Sequence, residues 1–400
     1  MSDKQSNYKA SAGWLFVIMG VVVLFTCGFL TALVGIDYEP HEIIALSLDL
    51  SNPVEMFKQH PEPLWHLMTL GVYKLTHLRI EICAGIVSGL LVDAVYLIGY
   101  AAVRKKMPAL HGAVIAVFCT VLNMAAAIYV PWFNKEPYLG QSSPNVWHNP
   151  TTIAVKPFAL LIFLMVAAEI IRCKESDFEE GISALKGILI SILLIFSCLA
   201  KPSFVQIFYP AIFTLMVIWL FVYRGKNLKM ALQLLLVCVP SLIVMILQFV
   251  AAFMSGSGEG GGITFAPLQV AGLRTNSIAI SMLLVTAFPL LMLILTIIRK
   301  KMGWSEIFAW ILFLWGTTWR LLLAETGERA AHGNFSWGYV LGLYMIWFVS
   351  VRSYLELYFN DEMTGTKRGV GFYIASVVLA LHFLSGLYYL FYLIVLGHGM

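Results

Sequence analysis

Apolar residues fall in eleven runs along this chain, at 13–35, 81–103, 109–132, 152–171, 184–200, 203–223, 230–254, 278–298, 306–323, 337–357 and 370–396. A helix needs about 20 such residues to cross a hydrocarbon core of about 30 Å, so the pattern predicts eleven membrane-spanning helices. The stretch "LAKPSF" (199–204) splits one long apolar region into two short helices. The first run is too long for the apolar core of a signal peptide, and no small-residue cleavage pattern follows it, so it reads as a retained span.

The segments between the runs are of two kinds. With the N-terminus inside, the inner segments hold Lys4 and Lys9, "RKK" 104–106, Arg172 with Lys174 and Lys186, "RGKNLK" 224–229, "RKK" 299–301, and Arg352 with Lys367 and Arg368. These are 17 of the 26 cations, and an excess of Lys and Arg marks the cytoplasmic side. The pattern predicts the N-terminus inside and the C-terminus outside. The inner segments are short, whereas the outer ones, 36–80, 133–151, 255–277 and 324–336, are long and chemically rich. No internal repeat and no soluble domain is evident, so residues 1–400 read as a single integral membrane domain.

Composition agrees. The chain is 60% hydrophobic and 12% charged, about half the charge of a soluble domain. A net charge of +4 gives no support for nucleic acid as a partner. The six cysteines are scattered, five of them in apolar runs, and read as small apolar fillers.

The candidate chemistry lies in the outer segments. "GIDYEPHE" (35–42) brings Asp37, Glu39, His41 and Glu42 close to the end of the first span. Mutual repulsion and partial burial raise carboxyl pKa values and can tune one into a general base; a solvated acidic helix start is the equal alternative. The following stretch contains "HPEPLWHLMTLGVYKL", with Leu64, Leu67, Met68, Leu70, Val72, Tyr73 and Leu75 on one broad apolar face. It predicts an amphipathic helix lying in the interface, with His60, Glu62 and His66 at its start.

The segment 131–158 is rich in prolines and aromatics and carries Asn145, Trp147, His148, Asn149 and Lys156. Rings with amide and imidazole donors suit a sugar, although an aromatic belt uses the same rings. "RLLLAETGERAAHGNFSWGY" (320–339) gathers Arg320, Glu325, Glu328, Arg329 and His332. Arg320 falls inside an apolar run, so it needs a partner such as Glu325 or a lipid phosphate. Lys201 and Arg274 are further phosphate candidates. "SGSGEGGGITFAP" (255–267) is no nucleotide loop and reads as a mobile loop or a plain linker. Seven of nine histidines lie in outer segments, yet none shows metal-type spacing.

A first span, an acidic cluster at its outer end, an interfacial helix opening with "HPEPLWHLMTLGVYKL" and a second span together resemble the N-terminal layout of GT-C fold glycosyltransferases. "GILISILLIFSCLAKPSFVQIFYPAIFTLMVIWLF" (187–221) is similar to that family's fifth and sixth spans. The resemblance covers residues 13–225 and leaves 226–400 as variable C-terminal helices. It implies an all-α, GT-C-like polytopic bundle in a bacterial cytoplasmic (inner) membrane, with its site on the outer face. It implies transfer of a sugar, with inversion, from a polyprenyl phosphate or pyrophosphate donor to an extracytoplasmic glycan or glycolipid. Carried over by position, the base is Asp37, with Glu39 as runner-up and His41 beside them. Arg320, Arg329, Lys201 and Arg274 would hold the donor phosphate. His60, Glu62, His66, Trp147, His148, Asn149, Lys156, Glu325 and His332 would meet sugar or acceptor. No cofactor is implied with certainty; some relatives use a divalent cation. The same stretch also resembles polysaccharide polymerases of the Wzy or EpsG type, and a lipid or solute transporter is the rival of a different class.

Overall fold

The computed structural model describes residues 3–35, 37–254, 262–364 and 369–396. Eight helices are long and apolar enough to cross a membrane: α1 (Asp3–Val34), α5 (Ile80–Lys106), α7 (Pro150–Glu175), α9 (Ser203–Val222), α10 (Leu228–Met254), α12 (Ile278–Ile298), α14 (Ser336–Thr364) and α15 (Val370–Phe391). Three more stand where spans were expected: the shorter α6 (Gly112–Met124) and α8 (Ala184–Ala200), and α13 (Trp304–Leu322). The molecule is an all-α bundle of the multi-pass membrane kind, and eight is the number of its described helices that meet the length and hydropathy of a span.

α14 is the axis of the bundle and is buried throughout residues 338–355. It packs most closely on α13, where glycines let the backbones meet. A Cβ on Gly316 would stand 2.7 Å from Tyr339 Cα, and one on Gly342 2.8 Å from Phe313 Cα. Small residues at such crossings are how apolar helices gain van der Waals contact without a hydrophobic drive.

Helix ends gather at two poles. At one, short turns are laced by ion pairs. Arg172 Nη2 lies 2.8 Å from Glu169 Oε2, Lys186 also pairs with Glu169, and Arg352 pairs with Glu306 between α14 and α13. Glu169 thus finds partners at the helix ends. Asp93, in α5, has an Oδ1 without a partner among the described residues.

The other pole carries the long segments. The expected interfacial helix forms as α4 (Leu64–Thr76), and two further short helices, α2 (Tyr38–Ser47) and α3 (Pro53–Gln59), precede it. Asn52 caps α3, with Pro53 in its first turn, and Pro61 and Pro63 separate α3 from α4. α4 turns Trp65, His66, Thr69 and Leu70 inward and leaves Lys74, Leu75, Thr76 and His77 exposed. A two-stranded strap pairs β1 (Ile263–Phe265) antiparallel with β2 (Leu323–Glu325), and a one-turn helix, α11 (Gln269–Gly272), follows β1. The expected glycine-rich loop lies outside the described residues over 255–261.

The break at "LAKPSF" forms as read. α8 ends at Ala200, Lys201 is extended at φ −171° and ψ 128°, and Pro202 opens α9. A residue before proline is driven out of the helical region.

The expected span 109–132 needs correction. α6 stops at Met124, and residues 125–130 run on unwound while Ala125, Ala126 and Ala127 are fully buried. Their backbone is satisfied from α12 and α15: Ala126 N donates to His382 O at 3.2 Å, Ile128 N to Leu284 O at 3.0 Å and Tyr129 N to Ser385 Oγ at 3.2 Å. Irregular chain at membrane depth survives only with such internal partners. α15 approaches so closely that a Cβ on Gly386 would lie 1.7 Å from Met124 O. Gly386→Ala therefore destabilises the protein, by about 3 kcal/mol, through overpacking against backbone. Helix propensity alone predicts the opposite sign, about 1 kcal/mol of gain. Thermal unfolding in detergent separates the two.

Candidate functional site

A cavity of about 790 Å³ opens at the pole that carries the long segments. α2 and the α3–α4 turn supply His41, His60, Glu62 and His66; α7 and the α8–α9 break supply Thr151 and Lys201; the strap and the region before α14 supply Glu325, Arg329, Asn334 and Trp337. These make a polar half. The other half descends between α9 and α10 and is lined by Tyr209, Pro210, Met245, Ile246 and Phe249. Ile246 and Phe249 are 51% and 44% exposed, so this half is open rather than packed shut.

Lys201 organises the polar half. Being buried, its ammonium needs acceptors, and it has them. Nζ donates to Asn149 Oδ1 at 3.1 Å and Thr151 Oγ1 at 3.0 Å, and stands 4.4 Å from the centre of the Trp337 ring. Burial pulls its pKa down to about 8, opposed by Glu62 and Asp37. Asn149 also accepts from Thr152 N at 3.0 Å, which caps α7, so the start of that helix and the lysine share one oxygen. Asp37 is exposed, lies near Asn149 and Lys201, and does not itself line the cavity. Burial raises its pKa, and Lys201 and Asn149 oppose that rise. Burial raises the Glu62 pKa too, against Lys201 and Arg329.

The two histidines form a relay. His66 Nδ1 lies 3.1 Å from Glu62 O, and His66 Nε2 lies 2.8 Å from His41 Nδ1. A carbonyl only accepts, so His66 Nδ1 carries a proton. In neutral His66, Nε2 is then a lone pair, and His41 Nδ1 must donate to it. His41 Nε2 is left as the unprotonated end of the chain. Burial holds both rings well below the usual imidazole pKa. Trp65 lies edge-on to both rings.

The other candidates scatter. Glu325 is at the cavity and accepts from Asn334 Nδ2 at 2.6 Å, so it is not the partner of Arg320. Arg320 donates to Ser142 Oγ at 2.8 Å and to Gly140 O. With Arg274 and His332 it lines a separate small recess. Lys156 is inside the bundle, 2.5 Å from Asn145 Oδ1 and 3.8 Å from the centre of the Tyr344 ring. Asn145 in turn donates to Leu122 O and Ala125 O, so this pair holds the end of α6. Trp147 is buried, and His148 is tied to Tyr389 of α15 at 2.8 Å; neither lines the large cavity. Glu39 is exposed away from the cavity lining. Among the described residues no three His, Cys, Asp or Glu side chains converge as a metal site.

Sequence reasoning passed over Gln206, Tyr209, Gln248, Asn334 and Trp337, all of which line the cavity. Gln248 Nε2 donates to Pro61 O and Cys198 O, both at 2.7 Å, and so ties α10 to the α3–α4 turn. The available signal was an amide in an otherwise apolar run, which is costly unless it faces a partner or a cavity. No protein-family model matches the sequence, and no curated protein matches it.

The relay fixes a pH dependence. Both histidine pKa values are depressed from 6.5, so the unfolded chain binds protons that the folded chain refuses. Stability of this region is full above about pH 6.5 and falls as the pH drops below it, by at most about 1.4 kcal/mol per pH unit for each histidine. Amide exchange in α2 and α4 accelerates correspondingly, and His66→Gln flattens the response.

Proposed function

We propose that this protein is a membrane glycosyltransferase that moves a sugar from a polyprenyl phosphate or pyrophosphate donor to an extracytoplasmic glycan or glycolipid. The observation that carries the reading is the amphiphilic form of the large cavity. An ammonium and a guanidinium, from Lys201 and Arg329, share its wall with an apolar half lined by residues of α9 and α10. A lipid phosphate has that shape: an anionic head over a hydrocarbon chain. Carboxylates and imidazoles at the mouth give a polar acceptor its partners.

In this reading the donor phosphate lies by Lys201 and Arg329, with its chain against Met245, Ile246 and Phe249. The sugar faces His41, His60 and Glu62. Asp37, beside Lys201 and Asn149, takes the acceptor hydroxyl proton as the oxygen attacks the anomeric carbon. The bond to the phosphate oxygen breaks in the same step, and Lys201 stabilises the departing charge. One displacement inverts the anomeric centre. The abundance of cations at the opposite pole supports a cytoplasmic side there, with the cavity outside, in a bacterial cytoplasmic membrane. All the cavity-lining groups come from one pole, which favours binding and reaction over passage across the membrane.

The test is transfer of label from radiolabelled polyprenyl-phosphate sugars to acceptors in a membrane extract, with the protein in nanodiscs. Asp37→Asn lowers transfer by about 10²-fold or more while donor binding is kept. Lys201→Met lowers it by about 10²-fold. Wild-type activity falls as pH rises through about 8, where Lys201 loses its proton. Absence of transfer from every lipid-linked donor, or full activity in both Asp37→Asn and Glu39→Gln, overturns the reading.

A further inference from the structure

Trp337 stands between the large cavity and a second recess of about 100 Å³, and lines both. Arg320, Arg274, His332 and His148 lie around the recess, and among the described residues no Asp or Glu lines it. Arg320 is only 6% exposed. Its Nη1 donates to Ser142 Oγ at 2.8 Å, its Nη2 donates to Gly140 O, and its Nε has no acceptor among the described residues. The Tyr339 ring centre lies 4.4 Å from its guanidinium carbon. Each of these partners is neutral. A buried guanidinium held only by neutral groups lacks the opposite charge that normally compensates its desolvation.

The recess is built, not incidental. Gly140 has φ +81°, and a Cβ there would lie 2.2 Å from Asn134 Oδ1 and 2.4 Å from Arg274 O. The loop that carries Ser142 is thereby pressed onto the segment that carries Arg274. Arg274 Nη2 in turn donates to Ala331 O at 3.4 Å, across to the segment that carries His332. Thr275 Oγ1 bonds Phe133 O at 3.1 Å, and Asn276 Nδ2 bonds Trp132 O at 2.9 Å, which locks the same two segments together. Two guanidiniums are thus fixed at one small recess, one buried at its wall and one exposed at its edge.

We propose that this recess binds a phosphate group, carried by a lipid or free in solution, as an anion site separate from Lys201. Guanidinium forks match phosphate oxygens in geometry and charge. The phosphate supplies the charge that Arg320 lacks. This inference does not depend on what the large cavity holds.

The experiment uses the full chain in phosphatidylcholine nanodiscs and reads the rise in unfolding temperature with ligand. One arm titrates inorganic phosphate, and the other dopes the nanodiscs with phosphatidic acid. The proteins are wild type, Arg274→Gln, Arg320→Gln and Lys201→Met. A response to inorganic phosphate in wild type and Lys201→Met, weakened about 10-fold or more in Arg274→Gln, supports a site for free phosphate. The same pattern with phosphatidic acid alone supports a lipid headgroup site. No response in either arm overturns the proposal. So does a response that Lys201→Met abolishes and Arg274→Gln leaves intact, because the anion then belongs to the large cavity. Arg274 is exposed and its replacement leaves the core alone, so it decides the matter even where Arg320→Gln fails to fold.

Discussion

A positive charge buried where two apolar helices part is the constraint on which the cavity depends. Lys201 cannot continue the helix, because Pro202 follows, and it cannot stay uncompensated, because it is buried. Its needs recruit distant pieces of chain. Asn149 and Thr151 come from the start of α7, Trp337 from α14, and Glu62 and Asp37 supply opposite charge from the segment after α1. Asn149 joins two tasks in one oxygen: it caps α7 and accepts from the lysine. The mouth of the cavity is therefore rigid on the lysine side. Its histidine side is ordered differently, by a chain of neutral rings that starts at a backbone carbonyl.

Similar residues have opposite fates in this bundle. Lys156 and Lys201 are both lysines near proline in outer segments, yet Lys156 serves an amide that closes α6, and Lys201 faces the cavity. Arg320 and Arg329 are nine residues apart and line different recesses. Hydropathy fixes how deep a residue sits. It says little about which way around the helix the residue faces, and facing decides whether a cation meets a ligand, a ring or a carbonyl.

That distinction sets what could be read from the chain. The helical bundle, the break at Lys201–Pro202 and the closeness of Asp37 to the end of α1 follow from apolar run length and proline sterics. The stop of α6 at Met124 did not show, because "AAAIYV" is as apolar as any span, and its unwinding rests on partners in α12 and α15. The helix at residues 64–76 showed in its apolar face, whereas α2 and α3 before it are too short to leave a clear period. The strap between residues 263–265 and 323–325 is a long-range pairing of three-residue strands, too short to leave a period. Of the candidate residues after the first span, His41, His60, Glu62 and His66 converge on the cavity while Asp37 and Glu39 do not line it, and the aromatic segment 131–149 mostly builds walls and clasps.

The unwound stretch after α6 bears on the order in which the chain is made. Its backbone partners lie as far as 256 residues downstream, on the last helix of the bundle. During synthesis Ala126 and Tyr129 reach the membrane long before His382 and Ser385 exist. Until then their amides must be held by water, lipid headgroups or a chaperone, because hydrocarbon offers no acceptor. The pairing that holds this unwound stretch in the folded protein therefore cannot form until the ribosome has delivered α15.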